Sequence, residues 1–268
     1  MTAIAATVAG SDSSGAAGIQ ADLKTFAALG VYGASVITAL TAQNTQGVRA
    51  IHDVPADFVA AQIDAVFSDL EVAAVKIGML SQAAIIETVA AGLARYRAKN
   101  IVLDPVMVAT SGDRLLAPEA VEALRNVLIP RALVVTPNLP EAAALTGATV
   151  ARNEREMEIQ ARELLALGAR NILIKGGHGS GNESIDLLVG EGDVLRLSAR
   201  RVDTKNTHGT GCTLSSAIAA GLARGLDLNA AAREAKTYVT AAIAAADTLH
   251  VGRGHGPLHH FYGIWSTT

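Results

Sequence analysis

Short runs rich in β-branched residues alternate with longer helical patterns along nearly the whole chain, and that rhythm restricts the fold more than any single motif. "IAATVAG" precedes a helical pattern at 18–29, "ASVITAL" one at 56–69 and "VAAVKIG" one at 82–96, and "NIVLDPV", "ALVVTPN" and "NILIKGG" continue the series. Strands that recur with a helix between them pair in parallel, because a tight turn cannot return the chain in the same direction. The spacing therefore predicts an α/β fold around a central, mostly parallel sheet. Further helices are expected at 139–146 and 153–167, and two long ones from about Thr210. Residues 184–198 break the rhythm: "SIDLLVGEGDVLRL" reads as two strands joined by Gly-Glu-Gly-Asp, an antiparallel edge on the parallel sheet.

Local signals agree with these elements. Asn153 followed by Glu156 predicts a helix cap with a reciprocal partner, Met157, Ala161, Leu164 and Leu165 follow at helical spacing, and Gly168 closes the pattern. Leu228, Ala231, Ala235, Val239, Ala242 and Ala246 form a narrow stripe of mostly small residues suited to close packing. No linker, repeat or low-complexity stretch interrupts the series, so one domain over residues 1–268 is expected.

Composition removes several functional classes. Half of the 268 residues are hydrophobic but only 3% are aromatic, which points to helices packed closely on a Val/Ile/Leu sheet. A net charge of -3 gives no general attraction for a phosphate backbone, so no nucleic-acid partner is expected. One cysteine cannot close an intramolecular disulfide, and "MTAIAATVAGSD" has no basic segment ahead of its apolar run, so a cytoplasmic protein is expected. The uncharged stretch between Lys24 and Arg49 resembles a membrane span in composition. Gly30 and Gly33 interrupt it and Gln43, Asn44 and Gln46 close it, which favours a helix end, a turn and a buried strand, with no membrane partner.

Ligands of open α/β sheets lie beyond the carboxyl ends of the strands. Seven such ends here are rich in Gly, Ser, Thr, Asn or Asp: "GSDSSGAAG", "TAQN", "GMLS", "DPVMVATSGD", "TPNLPE", "KGGHGSG" and "NTHGTGC". In the last, Gly209 and Gly211 allow a sharp turn and close approach of the backbone, and a helix from Thr210 or Gly211 would aim free amides at an anion. The lone thiol, Cys212, falls in that first helical turn. The helix dipole there is expected to lower its pKa from about 8.5, making it a base or a nucleophile, with His208 four residues upstream as a possible partner. The alternative is a small buried hydrophobe.

The ordered set "AGSDSSGAAGIQADLKTFAALGVYGASVITALTAQNTQGV", "KIGML", "LDPVM", "TPNLPEAAAL", "IKGGH", "NTHGTGCTLS" and "GHGPLHHF" resembles the hydroxymethylpyrimidine/phosphomethylpyrimidine kinases of thiamine biosynthesis, within the ribokinase-like family, over nearly the whole chain. The resemblance implies a three-layer α/β/α fold, ATP with Mg2+, a homodimer, and cysteine where most ribokinase-like enzymes place an aspartate base. It assigns Cys212 as that base and Gly209, Thr210 and Gly211 as the anion loop. Asn138 and Glu141 match an N-x-x-E motif that organises Mg2+, a helix cap followed by a surface glutamate being the bland alternative; Asp104 either assists the cation or caps a turn. Lys175 and Lys236 are expected to face nucleotide phosphates. Gln43 is expected on the pyrimidine edge, with Gly10, Asp22, Met79 and the backbone of Val106 lining the same pocket and Met79 over the ring.

The same resemblance implies a two-step transfer from ATP to 4-amino-5-hydroxymethyl-2-methylpyrimidine, giving the monophosphate and then the diphosphate. Pyridoxal or pyridoxine kinase activity is the nearest alternative; a non-catalytic nucleotide-binding domain and thiol-dependent acyl transfer at Cys212 are the more distant ones. "KGGHGSGNES" is read as a lid over the nucleotide. His255, His259 and His260 do not follow a metal-ligand pattern and are read as part of a docked terminal segment packed down by Phe261 and Trp265.

Overall fold

A computed structural model describes residues 1–107, 116, 118–177 and 181–265. Nine strands form one sheet in the order β3-β2-β1-β4-β5-β6-β7-β8-β9. These are β1 (Ile4–Asp12), β2 (Tyr32–Asn44), β3 (Gly47–Asp53), β4 (Ala74–Ile77), β5 (Ile101–Leu103), β6 (Val134–Val135), β7 (Ile172–Lys175), β8 (Glu183–Val189) and β9 (Val194–Arg200). From β2 to β7 all neighbours are parallel, whereas β8 and β9 continue the sheet antiparallel. The expected antiparallel edge at 184–198 is therefore present. The opposite edge was not expected: β3 pairs antiparallel with β2, so the sheet departs from parallel pairing at both of its edges. "GVRAIHD" is a largely exposed edge strand, so it lacks the apolar run by which buried strands announce themselves.

The helices are α1 (Gly18–Ala28), α2 (Ala56–Phe67), α3 (Ala83–Arg95), α4 (Pro118–Ala123), α5 (Leu139–Thr146), α6 (Glu154–Leu165), α7 (Thr210–Ala223) and α8 (Leu228–Ala244). Successive strand residues point to opposite faces, and the core divides accordingly. Val75, Ile77, Leu103, Val135 and Ile174 pack with residues of α2, α3, α5 and α6. Ala74, Val102, Val134 and Leu173 pack on the other face with residues of α1, α7 and α8. The stripe of α8 belongs here: Ala231, Ala235, Val239 and Ala242 are buried. Small residues let α7 and α8 lie close, and Gly221 leaves no space for a side chain, since a Cβ there would sit 2.9 Å from that of Ala231.

One local expectation needs correction. Asn153 caps α6 by accepting from the Glu156 amide at 2.9 Å, and Glu156 returns bonds to the Asn153 side-chain amide at 2.9 Å and to the Arg152 backbone amide at 2.8 Å, not to the backbone amide of the cap residue. The reciprocal box forms instead at α5, where Asn138 Oδ1 accepts from the Glu141 amide at 2.8 Å and Glu141 Oε2 accepts from the Asn138 amide at 2.7 Å.

Candidate functional site

Strand order determines where the site opens. β1 has β2 on one side and β4 on the other, so the chain leaves β1 in opposite directions, and a crevice forms beyond the strand ends at that reversal. A cavity of about 690 Å³ occupies it. Of the residues singled out in the sequence, Gly10, Gln43, Met79, Asp104, Val106, Asn138, Glu141, Lys175, Gly209, Thr210, Gly211, Cys212 and Lys236 all line this cavity. The exception is Asp22.

Gly209 starts α7 with φ +86°, and a Cβ on it would fall 1.9 Å from the Ala16 carbonyl oxygen, so only glycine fits. The helix follows at once, with Thr213 bonding back to the Gly209 carbonyl through both its amide and its hydroxyl. Cys212 sits in the first turn, half-buried at the cavity wall. The Gly18 amide, at the start of α1, faces its sulfur as a second donor.

Even so, the expected low thiol pKa is overturned. Burial pushes the Cys212 thiol up to about 11; the Lys76 ammonium and the Gly18 amide favour thiolate, but the Asp22 and Asp104 carboxylates add to the burial effect. A helix start contributes at most a fraction of a charge, and here desolvation and two anions outweigh it. His208 does not supply the missing activation by the expected route, because its Nε2 is turned toward Asp12 and Gln43.

Lys76 was missed in the sequence, and it is central. Its ammonium is fully buried, 2.8 Å from Asp22 Oδ2. Asp22 is also fully buried, and it accepts from Thr7 Oγ1 at 2.6 Å and from Ser216 Oγ at 2.7 Å. Its carboxylate is thus occupied behind the cavity wall, which corrects its expected place in the pyrimidine pocket. Ser216 lies one turn beyond Cys212 on α7, so the Asp22–Lys76 pair is held beneath the sulfur's face of that helix. Burial works against the Lys76 ammonium, yet Asp22, Cys212 and Asp104 more than compensate and raise its pKa. A lysine inside the otherwise apolar "VAAVKIG" was the available signal.

Charge pairs line another wall. Lys175 Nζ lies 2.7 Å from Asp104 Oδ1 and 3.9 Å from Glu141 Oε2. Asp104 also accepts from Thr136 and Ser215. Burial pushes the Glu141 carboxyl up to about 7; Lys175 opposes that rise and Asp104 adds to it. Glu141 is therefore both half of a capping box and a buried cavity residue, not the surface glutamate of the bland alternative. Lys236 bonds Asp186 Oδ2 at 2.7 Å and Ser184 Oγ at 3.2 Å, so neither wall lysine is a solvated one. Arg201 ties the neighbouring loop by donating to the carbonyls of Gly177 and Gly181, while residues 178–180 of the expected lid, like 108–115 after β5, lie outside the described residues.

The remaining wall has no lysine–carboxylate pair, and Asp12 is its carboxylate. Met79 lies against Gly10, where a Cβ would touch its sulfur and methyl at 3.6 Å. The Val106 amide donates to the Asp104 carbonyl at 2.8 Å. Gln43 reaches toward Thr41 and His208, and His208 Nε2 is 3.2 Å from Asp12 Oδ2. Burial would push the Asp12 carboxyl up, but hydrogen bonds from His208, Ser14 and the Ala17 amide pull it down to about 2. The tail borders this region: the Gly256 carbonyl accepts the His208 amide, Tyr238 donates to the His260 carbonyl, and His260 Nε2 lies 3.0 Å from Thr213 Oγ1. Leu258, His259 and His260 dock it; Trp265 stacks on Phe261 and lies against the His259 ring at 5.3 Å, as expected of a residue packing the tail, while staying 56% exposed.

A parallel α/β sheet whose switch-point cavity sets lysine–carboxylate pairs against a small neutral pocket is the layout of an enzyme acting on a small molecule and an anion. The comparisons narrow that class. The sequence profile of phosphomethylpyrimidine kinase matches residues 12–259. A hydroxymethylpyrimidine/phosphomethylpyrimidine kinase of Rhizobium meliloti is 60% identical over 265 residues, 99% of either chain. Among solved structures, an ADP complex of Bacillus subtilis pyridoxal kinase superposes with a TM-score of 0.90 at 38% identity, covering 97% of this chain and 98% of that one. Phosphomethylpyrimidine kinase from Clostridium difficile gives 0.80 at 47% identity, covering 90% and 99%. The chain belongs to the phosphomethylpyrimidine kinase family.

Proposed function

We propose that this chain phosphorylates 4-amino-5-hydroxymethyl-2-methylpyrimidine with ATP, first to the monophosphate and then to the diphosphate, as a single three-layer ribokinase-like domain over residues 1–268. The observation that carries this reading is the placement of Cys212 and the α7 start between a neutral pocket at Gln43 and Met79 and a charged wall at Lys175 and Lys236, all in one cavity. A homodimer working in the cytoplasm, without nucleic acid or membrane, is the accompanying expectation; no helix among the described residues is long and apolar enough to cross a membrane.

In this reading the Gln43 amide meets the aminopyrimidine edge, donating to a ring nitrogen and accepting from the exocyclic amine, while Gly10, Met79 and Val106 enclose the ring. Asp22 acts from behind the wall, by holding Lys76 in place. The 5-hydroxymethyl group then lies toward Cys212. A thiol at about 11 must lose its own proton before it can take one from the alcohol, and Lys76 is the fixed positive charge that makes the loss tolerable. The amides of Gly211 and Cys212, which have no acceptor within their own helix, face the charge that builds on the transferred phosphoryl group. Lys175 and Lys236, already desolvated, would exchange carboxylate for phosphate oxygens, and Asn138 keeps α5 and Glu141 in place.

Asp104 and Glu141 give the cavity an oxygen-only donor set, which suits a hard divalent cation, and a buried carboxyl as high as Glu141 is one whose charge a cation would restore. Bound there, Mg2+ would neutralise phosphate charge.

The test is product analysis after incubation with ATP, Mg2+ and the hydroxymethylpyrimidine. Both mono- and diphosphate are expected, and no transfer to this alcohol would overturn the reading. Pyridoxine belongs in the same experiment, because the pyridoxal kinases of Bacillus subtilis and Staphylococcus aureus both superpose with a TM-score of 0.90. A faster rate with pyridoxine would transfer the assignment to that alcohol.

A further inference from the structure

The proton count around Gln43 admits only one orientation of its amide. Gln43 Oε1 lies 3.1 Å from Thr41 Oγ1 and Gln43 Nε2 lies 3.1 Å from His208 Nε2, but a half-turn of the amide exchanges the two atoms, and the neighbouring protons decide between the orientations. Thr41 has a single hydroxyl proton and two acceptors in reach, the Ser11 carbonyl at 3.0 Å and Gln43 Oε1 at 3.1 Å, and the shorter contact takes the proton. Its oxygen therefore turns lone pairs toward Gln43, which calls for an N–H there. At the other end, His208 Nε2 lies 3.2 Å from Asp12 Oδ2, a carboxylate that also accepts from the Ala17 amide, while its second oxygen accepts from the Ser14 amide and hydroxyl. A carboxylate only accepts, so Nε2 must carry the proton, and the Gln43 atom facing that N–H must be oxygen. The count at His208 sets the orientation, and the Thr41 hydroxyl, bonded to Ser11, is compatible with it.

We propose that Asp12 and His208 are specificity-determining positioning residues, holding the Gln43 amide with its oxygen toward His208 and its nitrogen toward Thr41. Asp12 and His208 are only 3% and 6% exposed, so the arrangement is set before any ligand arrives. The amide has two N–H groups and two oxygen lone pairs. Thr41 uses one N–H and His208 one lone pair, which leaves one of each for a ligand in a fixed order. A ring edge is accepted when it brings a donor to the His208 side and an acceptor to the Thr41 side, as an aminopyrimidine does. The 4-oxo analogue offers a ring N–H beside a carbonyl, the reverse order, and meets donor with donor and acceptor with acceptor. The choice of ring rests on the function proposed above; the orientation of the amide does not.

Side-chain nitrogen NMR of the full-length, ligand-free protein tests the orientation directly. A proton on His208 Nε2 is expected, with the Gln43 amide protons close to Thr41. A proton on Nδ1 with bare Nε2, or Gln43 amide protons facing the imidazole, would overturn the proposal. Calorimetry with 4-amino-5-hydroxymethyl-2-methylpyrimidine and its 4-oxo analogue tests the consequence. The natural protein is expected to prefer the amino compound by about tenfold or more, the scale of one mispaired buried hydrogen bond. His208→Leu should bring that ratio close to one and raise KM much more than it lowers kcat. His208→Gln, which retains an N–H, should preserve most of the preference, and Asp12→Asn, which releases the histidine proton, should erode it. An unchanged ratio in His208→Leu and Asp12→Asn would refute the positioning role. If the natural protein binds neither pyrimidine, the substrate reading fails while the NMR result still decides the orientation.

Discussion

Lys76 and Lys175 face the same cavity, each against a carboxylate, yet they are held in different ways. The Lys76–Asp22 pair is sealed, with neither side chain exposed, whereas Lys175 keeps 13% of its side chain open, and Lys236, paired with Asp186, keeps 11%. A sealed ammonium cannot leave its partner for a ligand, because an uncompensated Asp22 would remain in the interior at a cost of several kcal/mol. A lysine on the wall can trade a carboxylate for a phosphate oxygen as the ligand displaces water. One end of the cavity thus carries a permanent charge beneath a sulfur, and the other carries charges that can be exchanged.

The largest expected effect tests the permanent end. Cys212→Ala should slow the first phosphorylation by roughly 10²–10⁴-fold, the usual contribution of a positioned base, and the second step much less, since a phosphate oxygen is already anionic. Equal losses in separate assays of the two steps would exclude the hydroxyl-base role. With the thiol at about 11 in the free protein, kcat/KM for the first step should also keep rising with pH above 8, and a flat profile there would count against the thiolate.

Lys76→Met breaks the comparison at its sharpest point. Removing one member of a sealed pair should cost roughly 3–5 kcal/mol in denaturant unfolding. Lys175→Met, whose ammonium is partly open to the cavity, should destabilise less than Lys76→Met and raise the KM for ATP, so equal destabilisation by the two substitutions would erase the distinction.

Acid probes the Asp12 side of the site. Burial, helped by the charge on Lys24, holds His260 down at about 4, and Asp12 lies at about 2. As pH falls from about 6.5 to 4, the unfolded chain takes up a proton that folded His260 refuses, which should remove about 2–3 kcal/mol. The Asp12 contribution, fully present above its unfolded value, should follow between about 4 and 2, removing a further ~2 kcal/mol. Urea midpoints at pH 7, 5 and 3 check this, and a constant midpoint from 7 to 5 would contradict the His260 assignment. The smallest effect falls on α5: Asn138→Ala should cost about 1 kcal/mol as a lost cap, with a further change in the KM for ATP as Glu141 loses its hold.

Much of this was legible in the chain. Period and spacing located the inner strands and seven of the helices, because residues buried on both faces must read as apolar runs and their crossovers as amphipathic ones. The same reasoning missed β3, an edge strand with no buried face to mark it. Thirteen of the fourteen site residues line the cavity: local backbone chemistry marked the glycine-led start of α7, while residues such as Gln43, Met79, Lys175 and Lys236 were marked by the family resemblance. Asp22 looked like a pocket residue because sequence shows that a carboxylate is present but not which way it turns.

The sequence by itself determined the alternating α/β order, the glycine-led start of α7 and the position of the lone thiol within its first turn. Only the tertiary structure decided what that thiol is: desolvation, with the Asp22 and Asp104 carboxylates brought in from elsewhere in the chain, outweighs the Lys76 ammonium and raises a pKa that the local dipole would have lowered. The helix dipole is fixed by neighbouring residues in the chain, whereas burial and charge act through space among residues far apart in it.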